Sequence, residues 1–183
     1  MKFLEAVSKL CSLSAKELET RLYRESTLTQ EYERGEINSE GFRAGVCSLC
    51  GTDIPVADFL QAYTDIFTPN PAVLDLVRKV KLHHRVGLLT NASPWHFEHV
   101  IAKTEIYPLF ESVTLSFEVG ASKPDPRLFE DALQKLDLMA EECIYIADKP
   151  VFAQAATEHL LHGIAYTTPI ALMTELRRHK VTF

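Results

Sequence analysis

A short apolar run, Val86-Gly87-Leu88-Leu89, stops abruptly at Thr90 and Asn91, and Ala92-Ser93-Pro94 then opens a helix. A run of this length, bounded by small polar residues, predicts a buried parallel strand over 86–91 rather than a helix. A strand ending in a hydroxyl and an amide, with a helix behind it, sets both groups at the carboxyl end of a sheet. Open α/β folds bind their ligands there. Such a strand has to be covered on both faces, so the surrounding chain must alternate helices with further parallel strands.

The sequence after Thr68-Pro69-Asn70-Pro71 has that alternation. A helix over 72–81 precedes strand 86–91, and a helix from Pro94 precedes a strand over 112–117. Helix 126–136 leads to strand 144–148, helix 151–161 to strand 163–166, and a helix over 169–179 closes the chain. The predicted fold class is α/β, a doubly wound parallel sheet over 69–183. Residues 1–68 read instead as a helical lobe. Phe3, Leu4, Val7, Leu10 and Leu13 recur at helical spacing, and Ser14 with Glu17 forms a capping-box signature. Leu18, Leu22 and Tyr23 follow it. Asn38 or Ser39 can cap a helix carrying Phe42, Val46 and Leu49, and Val56, Phe59, Leu60, Tyr63 and Phe67 stripe another. Four short helices with brief connections predict a small bundle.

Composition narrows the partners. A net charge of -6 argues against a general nucleic-acid or anionic-membrane surface, yet permits a phosphorylated small molecule held by a few local donors. No run approaches the roughly 20 apolar residues of a membrane-spanning helix. The first residues show no basic start followed by a long apolar segment, and four cysteines make no disulfide scaffold at this length, so a reduced, cytoplasmic protein is expected.

Three pieces would meet at the carboxyl end of the predicted sheet: Thr90 with Asn91, Lys123 within Ser122-Lys123-Pro124-Asp125-Pro126, and Asp148 after Cys143-Ile144-Tyr145-Ile146-Ala147. Each has an ordinary alternative. Thr90 and Asn91 suit a strand end and a helix cap; Lys123 suits a solvated loop; Asp148 suits a cap or, since Mg²⁺ prefers carboxylates and water, a metal ligand. Together they point to a phosphate-handling site. Cys47-Ser48-Leu49-Cys50 is a CxxC without a second pair. His96/His99 and His159/His162 are i, i+3 pairs without a third ligand, and Ser93 lacks a GxSxG context.

Thr-Asn after one strand, Lys-Pro-Asp-Pro after the next and Asp after a third is an ordered combination. On it the chain resembles the haloacid dehalogenase-like (HAD) hydrolase superfamily over nearly its whole length. Tyr32-Glu33-Arg34-Gly35-Glu36-Ile37 and Phe42 are similar to the sugar-phosphatase branch, related in turn to the N-terminal domain of soluble epoxide hydrolase. The resemblance implies that Thr90 and Asn91 bind the transferring phosphoryl group and that Lys123 neutralises its charge. It also implies that Asp148 helps to hold Mg²⁺ and that the helical lobe is a cap selecting the substrate. Fixed donors, a lysine and a metal are most of what phosphoryl transfer requires.

The departures from that pattern are as informative. The family's nucleophile is an aspartate in a DxD motif at the end of a strand preceding the cap; no DxD occurs in this sequence, which opens at Met1-Lys2-Phe3-Leu4 with cap-like residues. Ala147 stands where the family has the first of paired acids, and Phe152 where it has a later Asn or Asp. In the family the DxD strand lies between those matching 86–91 and 144–148. Its loss exposes interior backbone edges at roughly 1–3 kcal/mol per orphaned group. Three outcomes are open: the two strands pair directly, another chain supplies a strand, as in a homodimer, or the protein begins upstream of Met1. The expected function is that of a phosphatase for small phosphorylated metabolites, Mg²⁺-dependent by ancestry, with little or no Asp-nucleophile turnover in these residues. The alternative is a non-catalytic relative that binds a phospho-ligand or pairs with protein.

Overall fold

The computed structural model describes residues 2–183. Helices α1 (Lys2–Val7), α2 (Ala15–Tyr23), α3 (Leu28–Glu33), α4 (Ser39–Cys50) and α5 (Val56–Thr64) precede Thr68. Beyond it α6 (Pro71–Lys81) leads to β1 (Gly87–Thr90), and α7 (Pro94–His99) to β2 (Ser112–Leu115). Then come α8 (Ser116–Val119), α9 (Pro126–Leu136), β3 (Ile144–Ala147), α10 (Pro150–Glu158), β4 (His162–Ala165) and α11 (Pro169–Arg178). The chain divides into two units: the first takes the described residues up to Thr68 with 92–104 and 116–120, the second 69–91, 105–115 and 121–183.

In the first unit the capping box forms. The Ser14 N–H donates to Glu17 Oε2 at 2.9 Å, and the Glu17 N–H donates to Ser14 Oγ at 3.3 Å. Asn38 Oδ1 accepts from the Gly41 N–H at 2.8 Å and starts α4, which Gly51 ends in the left-handed region at φ 66°. The helices bury Phe3, Val7, Leu18, Leu22, Val46 and Phe59 in one apolar cluster, with the Tyr32 and Phe42 rings stacked 4.5 Å apart. Among the described residues before Thr68, five helices stand where periodicity predicts four. The extra one, α3, buries Tyr32 alone and has no side-chain cap, so it leaves no stripe in the sequence. The first helix also ends at Val7 rather than continuing to Leu13, and Leu10 is exposed.

The second unit is α/β with parallel strands, but the strands form two ribbons. β1 pairs with β2 from Gly87↔Ser112 to Thr90↔Leu115. β3 pairs with β4 from Ile144↔His162 to Ala147↔Ala165. β1 and β3 belong to separate two-stranded sheets, so direct pairing of the two is not what the chain adopts. The core holds two buried clusters that do not follow the ribbons. Phe129, Tyr145, Ala155, Ala156 and Leu161 form one buried cluster, and Leu76, Ile164, Leu172 and Leu176 another. The predicted strand 112–117 ends at Leu115 because the chain turns helical at Ser116. There the buried Ser116 Oγ donates to the Ala92 carbonyl and accepts from the Ala92 N–H, both at 3.0 Å.

Candidate active site

The end of β1 and the loop before α9 are fastened together. The Lys123 backbone N–H donates to Asn91 Oδ1 at 2.8 Å, Asn91 Nδ2 donates to the Lys123 carbonyl at 3.4 Å, and Lys123 Nζ donates to the Leu89 carbonyl at 3.1 Å. Thr90 Oγ1 lies half-buried beside them, 3.4 Å from the Asn91 carbonyl oxygen. Pro124 follows Lys123 through a cis peptide bond, and the Asp125 carboxylate caps α9 at the Arg127 N–H (3.0 Å). Pro126 then occupies the first turn of that helix, where the missing N–H costs nothing.

The ammonium of Lys123 is shielded from water. Burial pulls its pKa down from 10.5 to about 8; Asp148, the residue after β3, opposes the shift, and Lys149 adds to it. At neutral pH the group keeps its proton. Two rings attend it, Tyr145 with its centroid 5.7 Å from Nζ and Phe152 at 5.3 Å. Lys149 Nζ lies 5.3 Å from the same Phe152 ring. Tyr145 is a residue that sequence reasoning missed, because inside an apolar strand it looks like core. Its hydroxyl pKa is pushed up to about 12 by burial and by Asp148. Phe152 was legible only as a departure; the structure shows what it touches.

Of the sequence-predicted residues, Asn91 holds the Lys123 backbone and Asp148 acts on its ammonium, while Thr90 Oγ1 contacts the Asn91 carbonyl. The donor set does not make a magnesium site by itself. Mg²⁺ takes an octahedron of oxygens, commonly with one or two carboxylates and a substrate phosphate. Here one exposed carboxylate, Asp148, sits among two lysines and a phenyl ring, and among the described residues no group of three His, Cys, Asp or Glu converges. The arrangement holds one ammonium at the end of β1 with a single carboxylate beside it.

The other candidates have structural work. Ser93 is fully buried in the first unit, caps α7 through the His96 N–H (3.4 Å) and accepts from the Tyr63 hydroxyl at 3.0 Å. The His96 ring stacks on Tyr63 at 4.0 Å, and burial lowers its pKa. His162 Nε2 lies 3.1 Å from the Glu141 carbonyl oxygen, and the His159 ring packs near Phe129. Cys47 and Cys50 are buried free thiols one turn apart on α4, with Cys50 pushed up to about 12 by burial and by the Cys11 thiol. Among the described residues no helix is long and apolar enough to cross a membrane.

Comparison with known proteins bears on the family and the fold. A D-ribitol-5-phosphate phosphatase of Bacteroides thetaiotaomicron is 25% identical over 153 residues, 79% of this chain and 74% of the relative. The sesquiterpene phosphatase astK of Aspergillus oryzae is 28% identical over 173 residues, 91% of this chain and 85% of the relative. Among solved structures, a HAD-family enzyme of Bacteroides thetaiotaomicron superposes with a TM-score of 0.80 at 21% identity, covering 91% of this chain and 85% of that one. The wild-type form of that enzyme complexed with magnesium and inorganic phosphate superposes at 0.78 with 20% identity, over the same shares of the two chains. The model of the haloacid dehalogenase-like hydrolases matches residues 14–159, and with the shared α/β fold this establishes that the chain belongs to that family.

Proposed function

We propose that the second unit binds the phosphoryl group of a small phosphorylated metabolite, and that these residues turn it over slowly or not at all through an aspartate nucleophile. The observation that carries this reading is the shielded Lys123 ammonium, held at the Asn91 end of β1 and flanked by one carboxylate and the Phe152 ring. That set recognises an anion, yet it lacks a second carboxylate to attack phosphorus or to share a metal. The two relatives described as phosphatases of D-ribitol 5-phosphate and of sesquiterpenes support a phosphorylated metabolite as the ligand class. In this reading Thr90 and Asn91 contact the phosphoryl oxygens, Lys123 neutralises their charge, and Asp148 is what remains of a Mg²⁺ site. Residues 1–68 are the lobe that selects the substrate, and the protein works in the cytoplasm.

The test is direct. Titration calorimetry with inorganic phosphate and ribitol 5-phosphate is expected to show binding that weakens about tenfold or more in Lys123→Ala. Hydrolysis of p-nitrophenyl phosphate with Mg²⁺ is expected at background. Robust Mg²⁺-dependent hydrolysis by the pure chain refutes the inactive reading. Unchanged phosphate affinity in Lys123→Ala returns the lysine to an ordinary loop residue.

A further inference from the structure

Three of the four cysteines lie in the first unit, and their sulfurs are not equivalent. Cys47 Sγ is engaged by two donors, the Ile54 N–H at 3.3 Å and Arg43 Nη1 at 3.8 Å. Cys50, one turn further along α4, is placed differently. Its thiol is hydrogen-bonded to that of Cys11, which stands in the turn between α1 and α2. Cys11 Sγ also lies 4.0 Å from the Leu13 carbonyl oxygen. Both residues border the apolar cluster of the unit, while Cys143 belongs to the second unit.

The two thiols differ in a way that sets an order of reaction. Cys11 is half-buried, so small solutes reach it from water, whereas Cys50 is 4% exposed. Burial, then the Cys11 and Cys47 sulfurs, push Cys50 up to about 12 against the pull of Arg21, so at neutral pH it keeps its proton. A protonated thiol is a poor first nucleophile. An oxidant therefore meets Cys11 first, with Cys50 beside it as the group that answers. Among the described residues no group of three His, Cys, Asp or Glu converges to hold a metal, so the CxxC on α4 does not gain a third ligand from Cys11. Two touching thiols, one of them open to water, are instead the setting of a reversible disulfide.

We propose that Cys11 and Cys50 are a peroxide-sensitive thiol pair, closing to a disulfide that fastens the turn between α1 and α2 to the end of α4. Hydrogen peroxide first transfers an oxygen to the Cys11 sulfur: the O–O bond breaks, Cys11 becomes a sulfenic acid and one water leaves. The Cys50 sulfur then attacks the Cys11 sulfur. The S–S bond forms, the S–O bond breaks, and the hydroxide departs with the Cys50 proton as a second water. The two sulfurs lose two electrons between them and the peroxide gains both. A dithiol returns the pair to the reduced form by exchange. Because the link joins residues far apart in the chain, it restricts the unfolded chain and stabilises the unit.

The reduced intact chain is treated with a small excess of hydrogen peroxide, alkylated, and mapped by mass spectrometry without reduction. The expected product has lost two hydrogen atoms, carries a Cys11–Cys50 cross-linked peptide and reverts with dithiothreitol. It is expected to melt several degrees above the reduced chain. Cys11→Ser, its folding checked by circular dichroism, is expected to show neither the cross-link nor the rise in melting temperature, and Cys143→Ser to cross-link as the parent does. A Cys47–Cys50 link or a link between chains overturns the proposal. So does Cys11 ending as a sulfinic acid with Cys50 still a free thiol. An unaltered mass overturns it on the parent chain alone, whatever the variants do. A Cys11–Cys50 link that leaves the melting temperature where it was overturns the fastening of the turn to α4.

Discussion

Asn91 grips the peptide unit of Lys123 from both sides, its Oδ1 accepting from the Lys123 N–H at 2.8 Å and its Nδ2 donating to the Lys123 carbonyl at 3.4 Å. The amide side chain matches the two polar groups of the backbone, so the loop carrying the lysine is set by the end of β1. Asn91→Ala removes both bonds and leaves a half-buried N–H without its acceptor. A loss of about 1–2 kcal/mol in urea denaturation is expected, together with weaker phosphate binding, because Lys123 is then no longer held.

Lys123 also makes the stability of the protein depend on alkaline pH. Its pKa is about 8 folded, from burial first, against the ordinary 10.5 of an unfolded lysine. Between those values the unfolded chain binds more protons than the folded one, so stability rises with pH through that window. The cost of the buried ammonium is fully present below pH 8 and is relieved as the pH climbs. Lys123→Met is expected to be more stable than the parent at pH 7 by on the order of 1–3 kcal/mol, and the difference is expected to shrink towards pH 10. Denaturation midpoints of the two proteins measured at pH 7, 8.5 and 10 check this; a constant difference refutes it.

At Gly163 the β4 backbone passes so close to α10 that an added Cβ would stand 1.9 Å from the Ala153 carbonyl oxygen and 2.6 Å from Thr157 Oγ1. Backbone cannot yield as a flexible side chain can. Gly163→Ala is expected to lose on the order of 2–3 kcal/mol by forcing the strand and helix apart, read as a lowered melting temperature. A variant that melts with the parent would show that the helix can shift without cost.

Within the first unit, the Tyr63 hydroxyl donates to Ser93 Oγ at 3.0 Å, with both residues buried. Tyr63→Phe keeps the ring that stacks on His96 and deletes only this bond. About 1 kcal/mol of destabilisation is expected in chemical denaturation, with an unaltered far-ultraviolet spectrum. A neutral result would mean that Ser93 finds another partner.

Much of the second unit was legible because its elements carry local signals. Pro126 and Asp125 mark the start of α9 and Pro169 that of α11, and the apolar run before Thr90 gives β1 to within a residue. The α/β class and the convergence of Asn91 and Asp148 on Lys123 follow from strand order alone. Other features were not legible because they are set by distant partners. That β1 and β3 lie in separate sheets is set by packing from distant elements, and neither strand states it. Helix α3 has one fully buried residue, Tyr32, whose stacking on Phe42 shows only in three dimensions. The rings around Lys123 belong to β3 and α10, and nothing in Tyr145 or Phe152 as letters announces a cation beside them.

The Phe152 ring, approached by Lys123 Nζ and Lys149 Nζ at 5.3 Å each, has a bearing on the charge kept around Lys123. A carboxylate at that position would meet two ammonium groups at once and neutralise charge that an anion could otherwise use. The neutral aromatic face attracts both cations without cancelling either, so the two ammonium groups beside it keep their charge.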